Sequence, residues 1–267
     1  MHAFIFNGLL LLLVSTLSYT KNDFKEFISN NIPLREDGRI YIPHHIKHVK
    51  LDIGLSYFAP MSQYWLTHEN DLIVFGFEPN PPSVESLLNG AIIQHPSLGA
   101  PLEKRFVGTS FFLIPCALGL SSQPFVKLFV TKNCDCSSIY KSKEIVNDLE
   151  IERVINVPIF SLADFFDLFP FDTHPVIDYI NIDTQGADLD IAKSAGSYLK
   201  DKVIYITLEA ENSHYANTVN SQQDIQNYMD SIGFVKCSSF LTSDPTYFNP
   251  RFAKYIKQNV VTIYQQG

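Results

Sequence analysis

Past residue 20 the chain alternates short apolar runs with segments of helical periodicity. Residues 48–53 (HVKLDI), 72–78 (LIVFGFE), 109–117 (TSFFLIPCA), 125–130, 177–183, 203–209, 235–240 and 259–264 read as strands. Several are apolar at odd and even positions alike, the mark of strands covered by helices on both faces. Segments 21–31, 60–70, 83–88, 161–168, 187–199 and 222–232 have the spacing of the covering helices. This alternation predicts an α/β class with a doubly wound, mostly parallel sheet. Ligands of such sheets sit outside the carboxyl ends of the strands, where the strand order reverses. Three runs reach that edge with an acid, at Asp52, Glu78 and Asp183.

The stretch IDYINIDTQGADLDIAKSAG, residues 177–196, shows the pattern most sharply. A β-branched run stops at Asp183, Gln185 and Gly186 intervene, and a helix follows with Asp188 and Asp190 in its first turn. Acids there are favoured by the positive end of the helix dipole, so both are read as helix-start residues. In KLDIGLS, Gly54 lets backbone approach a ligand and Asp52 offers an acceptor. Glu78 follows Asp52 by 26 residues, near the ~20-residue spacing at which a second strand presents an acid to ribose hydroxyls. The PNPPS turn after it, with Pro79 and Asn80, starts the next helix. Only one glycine occupies the first loop, so the pyrophosphate cradle of a dinucleotide site is missing and nicotinamide chemistry is disfavoured. A phosphate-free adenosyl ligand such as S-adenosyl-L-methionine fits better.

Composition narrows the partners. The 267 residues, 46% hydrophobic and 13% aromatic, suffice for a full core in one domain over residues 21–267. A net charge of −8 with 20 basic residues excludes a nucleic-acid footprint. The first 20 residues hold an apolar block at 9–14 and no Lys or Arg. They are read as a signal peptide or short membrane anchor, with secretory-lumen, secreted or membrane-anchored placement, the alternative being a docked helix in a cytoplasmic protein. Four cysteines, Cys116, Cys134, Cys136 and Cys237, are too few for a disulfide scaffold and lack zinc spacing.

Taken in order, VKLDIG, FGFEPNPPSVESLL, IPCALG, SSI, NVPIFSLADFF, YINIDTQGADLDIAKSAGSYL, YITLEAE and YMDSIGF resemble the successive motifs of the FkbM family of methyltransferases, over residues 49–234. The resemblance implies a class I, Rossmann-like fold that transfers a methyl group from S-adenosyl-L-methionine to a hydroxyl of a sugar, glycan or glycosylated small molecule. It implies that Asp52, Gly54 and Ser56 form the first cofactor loop and that Glu78, with Pro79 and Asn80, holds the ribose. By the same likeness Cys116 and Ala117 border the adenine, and Asp183 stands beside the transferred methyl. The chain departs from the pattern at Ser56 and Phe58, where Asn and Gly are usual, and at Gln185, where an acid is usual. These departures keep a second reading open, a non-catalytic lumenal binding or scaffold protein.

Methyl transfer to a hydroxyl gains from a base, and Asp183, Glu209, Glu211 and His214 are the candidates. No metal is expected, since Asp183 and Glu209 have no recognisable ligand spacing. The loop 134–150 and the aromatic stretch 240–255, with Arg251, are expected to wall the acceptor side.

Overall fold

In the computed structural model, residues 21–90, 100–143, 147–210, 214–237 and 244–256 are described. The leader at 1–20, the expected strand at 259–264, and Glu211 and Phe240 lie outside them. In chain order the helices are α1 (Lys21–Ser29), α2 (Pro60–His68), α3 (Pro81–Asn89), α4 (Leu162–Leu168), α5 (Asp188–Ser194), α6 (Ser197–Lys202), α7 (Gln222–Ser231) and α8 (Ala253–Ile256). The strands are β1 (His48–Ile53), β2 (Leu72–Phe77), β3 (Phe111–Ile114), β4 (Ala117–Leu118), β5 (Phe125–Thr131), β6 (Ile151–Phe160), β7 (Ile177–Ile182), β8 (Val203–Leu208), β9 (Val235–Lys236) and β10 (Thr246–Phe248).

Seven strands form the main sheet in the order β3-β2-β1-β7-β8-β10-β9. The first five are parallel, and β10 runs antiparallel to both of its neighbours. This is the expected doubly wound, Rossmann-like α/β arrangement, with its order reversing between β1 and β7. Strands β2 and β8 lie inside the sheet with every residue buried, in keeping with their almost wholly apolar runs. One face packs Leu51, Phe75 and Ile180 against α1, α4, α5 and α7; the other packs Val74 and Tyr179 against Trp65 of α2 and Leu87 of α3. Among the described residues no helix is long and apolar enough to cross a membrane.

Several elements differ from the sequence expectation. The run 109–117 breaks into β3 and β4 at Pro115, which has no N–H for a ladder, and β4 leaves the main sheet. The run 125–130 belongs to a second sheet, β4-β6-β5, rather than to the main series. Its long strand β6 goes unread in the sequence because it is solvated on both faces from Glu152 to Val154 and Pro158 breaks the strand signal. The expected helix 187–199 is two helices, parted where Gly196 takes a φ of 57°.

Strand β1 also carries a buried cation. Lys50 is 1% exposed, ion-paired to Glu69 at the end of α2, with its Nζ 4.8 Å from the Trp65 ring centroid. Burial pulls its ammonium below the usual lysine range. Removing one partner strands the other charge, at a cost of about 3–5 kcal/mol. Glu69→Ala is therefore expected to lower urea-unfolding stability by about 3 kcal/mol, and a loss under about 1 kcal/mol would contradict this account of the pair.

Candidate functional site

The carboxyl ends of β1 and β7 lie side by side, with Asp52 opposite Asn181 and Ile53 opposite Ile182. One step further, Gly54 turns at φ 85°, and a Cβ on it would stand 1.7 Å from the carbonyl oxygen of Asp183. No side chain fits there. The loop that follows continues in the left-handed region at Ser56 (φ 54°) and Ala59 (φ 45°). Each such residue costs about 1–2 kcal/mol without a glycine. The loop thus has the shape of a glycine-rich turn although Gly54 is its single glycine, a property that composition hides. Across from it, Gln185 (φ 59°) and Gly186 (φ 101°) turn β7 into α5.

Between these turns lies a cavity of about 230 Å³. Gly54, Ser56, Glu78 and Pro79 line one part, Cys116 and Ala117 another, and Asp183 and Gln185 a third. Among the wall residues that sequence reasoning did not assign are Phe58, seen only as a departure, and Asp135, in the turn after β5. Asp135 sits between Cys134 and Cys136, where no pattern singles it out. The Ser56 hydroxyl donates to Asp135, which ties the first loop to the second sheet. The loop 134–150 is therefore a wall of this cavity through Asp135, Ser137, Ser138 and Ile139.

The acids are held differently. Glu78 is buried, and its carboxylate accepts the Asn80 N–H at 2.8 Å together with the backbone N–H groups of Leu55 and Ser56. Burial outweighs those bonds and pushes its pKa up to about 8. Asp183 opens onto the cavity while protein surrounds it, and that burial raises its pKa. Gln185 Nε2 bridges it to Glu209, at 3.1 Å from Asp183 and 2.9 Å from Glu209. Glu209 stands behind the wall. Burial and the neighbouring Asp183 and Asp188 charges raise its pKa, so it keeps its proton and donates it to Asp183. Tyr215, 1% exposed, donates its hydroxyl toward Gln185 Oε1 at 2.9 Å and fixes the amide's orientation.

Other expected residues lie off the cavity. Asp52 is buried behind it, taking bonds from the Ser62 N–H (3.1 Å), the Ser62 hydroxyl (2.6 Å) and Asn181 (3.1 Å), with its pKa raised by burial to about 6. It joins α2 to the sheet. Asn80 is also buried, and its Oδ1 has no partner among the described residues. The His214 side chain is exposed and does not line the cavity; its carbonyl receives the Lys143 N–H. Asp188 is more than a helix-start residue: fully buried, it accepts from Thr184 and from the Glu209 N–H. Asp190 accepts from Tyr140. Among the described residues of the aromatic stretch, Tyr247 is buried in β10, the Phe248 ring centroid lies 5.1 Å from that of Tyr205, and Arg251 pairs with Asp201 before β8, so these three do not line the cavity. Cys116, Cys136 and Cys237 are free thiols, and among the described residues no group of three His, Cys, Asp or Glu is placed to hold a metal ion.

Compared with known proteins, residues 54–236 match the family model of the methyltransferase FkbM domain. No curated protein and no solved structure matches the chain.

The Glu78 environment sets a pH dependence. Its carboxyl rises from 4.5 unfolded to about 8 folded, so between those values the native state holds the extra proton. Stability is then greatest at the acid end of that window and falls as pH rises through it. The urea midpoint of the ligand-free protein should fall more steeply between about pH 5 and pH 8 than that of Glu78→Gln, and parallel profiles would contradict the assignment.

Proposed function

The chain belongs to the FkbM methyltransferase family, and we propose that it transfers a methyl group from S-adenosyl-L-methionine to a hydroxyl of a sugar, glycan or glycosylated small molecule. The observation that carries this reading is the set of charged groups lining the cavity. Glu78, Asp135 and Asp183 line it, and no Lys or Arg does. Phosphates would find no cation there, whereas a nucleoside with net positive charge meets carboxyl groups only.

When bound, the cofactor supplies an electrophilic methyl group on a sulfonium. Glu78, anchored by three backbone N–H groups, keeps lone pairs for ribose hydroxyls. Cys116, Ala117, Leu118 and Phe77 offer an apolar wall for a purine. The chain's main task is to hold the acceptor oxygen about 3–3.5 Å from the methyl group and in line with the departing sulfur. Asp183 then receives the hydroxyl proton. Gln185 and the protonated Glu209 hold this carboxylate in place through hydrogen bonds. Such a base contributes about 10²–10⁴-fold to the rate. The apolar run at residues 9–14 supports a secretory or membrane-anchored setting for this chemistry.

Isothermal titration with S-adenosyl-L-methionine should show saturable binding, weakened about tenfold or more in Glu78→Ala. Failure to bind at millimolar concentration would overturn the reading in favour of the non-catalytic scaffold. With a labelled methyl donor and a panel of glycans, Asp183→Asn should lower kcat by about 10²-fold or more while leaving cofactor affinity within a few-fold. An unchanged kcat would remove Asp183 as the base.

A further inference from the structure

We infer that Asp135 receives the ammonium of the methyl donor's amino-acid end, an assignment that rests on reading the cavity as an S-adenosyl-L-methionine site. Three acids line that cavity, and the protein already supplies two of them with at least two donors each. Glu78 takes backbone N–H groups from Asn80, Leu55 and Ser56. Asp183 takes the Gln185 amide and the proton of Glu209. Asp135 has one side-chain partner, the Ser56 hydroxyl on Oδ1, and its second oxygen has no donor among the described residues.

The position suits the task. Asp135 belongs to the short turn Cys134–Cys136, held at its root by Asn133, whose carbonyl accepts the Cys136 N–H at 2.9 Å. Through Ser56 it reaches across to the loop after β1, so it spans the two walls between which a ligand must lie. Its charge raises the carboxyls of both Glu78 and Asp183, which sets it within electrostatic reach of each. A ligand that fills the cavity from Glu78 to Asp183 has Asp135 on one of its walls. An ammonium brings three donors and no acceptor, and a carboxylate oxygen without a partner is its complement. The Ser56 hydroxyl also receives the Tyr57 N–H at 2.5 Å, which holds its oxygen while its proton serves Asp135. The Ser56–Asp135 contact thus orients the carboxylate and leaves one oxygen for the ligand. Neither residue follows the family pattern in the sequence: Ser56 stands where Asn is usual, and Asp135 lies outside the motifs.

The test is isothermal titration of the wild type and Asp135→Asn with three ligands that differ in charge. S-adenosylmethionine carries sulfonium and ammonium, S-adenosylhomocysteine the ammonium alone, and methylthioadenosine neither. The isosteric amide keeps an acceptor for Ser56, and circular dichroism confirms folding. The expected result is a loss of about tenfold or more for the first two ligands and a change within about twofold for the third. An equal loss for all three would reveal an effect on loop shape and overturn the assignment, as would no loss at all. Loss for S-adenosylmethionine alone would move Asp135 to the sulfonium and likewise overturn it. A wild type that binds none of the three would bring down the donor-site reading and this inference with it, whereas normal wild-type binding confines any failure to Asp135.

Discussion

The site depends on one backbone approach, between Gly54 after β1 and the carbonyl of Asp183 after β7. At the point where strand order reverses, these two chain ends diverge above the sheet and leave a crevice. Their closeness sets how far apart the loops begin. The Ile53 carbonyl holds the Asp183 N–H at 2.9 Å, and the Phe77 carbonyl holds the Gly54 N–H at 3.0 Å, so β1, β2 and β7 are locked together immediately below the cavity. The wall residues Gly54, Glu78 and Asp183 take their positions from that lock.

A second constraint is electrostatic. Acids gather at this edge without a cation among the cavity-lining residues, so their mutual repulsion has to be met by hydrogen bonds and protons. Glu78 draws on backbone N–H groups, Asp52 on Ser62 and Asn181, Asp188 on Thr184 and the Glu209 N–H, and Asp183 on Gln185. An acid at position 185 could not donate to two carboxylates at once; the amide can. The departure from the family pattern at Gln185 is therefore compatible with a working site, since it lets Asp183 and Glu209 approach each other without a metal ion or an arginine between them.

Much of this was legible in the sequence, for physical reasons. The strands β2, β7 and β8 are largely apolar on both faces and β1 alternates Val49, Leu51 and Ile53 with polar residues, so their limits could be read to within a residue. The acids at or beside their ends, Asp52, Glu78, Asp183 and Glu209, could be located for the same reason. What burial each one experiences could not: Asp52 faces the protein and Asp183 the cavity, a difference of pleat and loop path that residue type does not record. The half-solvated β6 and the three-residue β10 lack a continuous apolar signal. Ser56 and Ala59 adopt glycine-like backbone only because the surrounding contacts enforce it. Asp135 is placed by a turn that local sequence leaves open, and His214 looked suitable by chemistry alone.

The claim that the converging acids form a nucleoside-sulfonium pocket is tested most directly by a crystal structure of the full chain grown with S-adenosylhomocysteine. The account predicts ligand density between the turns after β1 and β7, with the ribose at Glu78 and the thioether toward Asp183. Density at another surface, or a ribose turned away from Glu78, would contradict it.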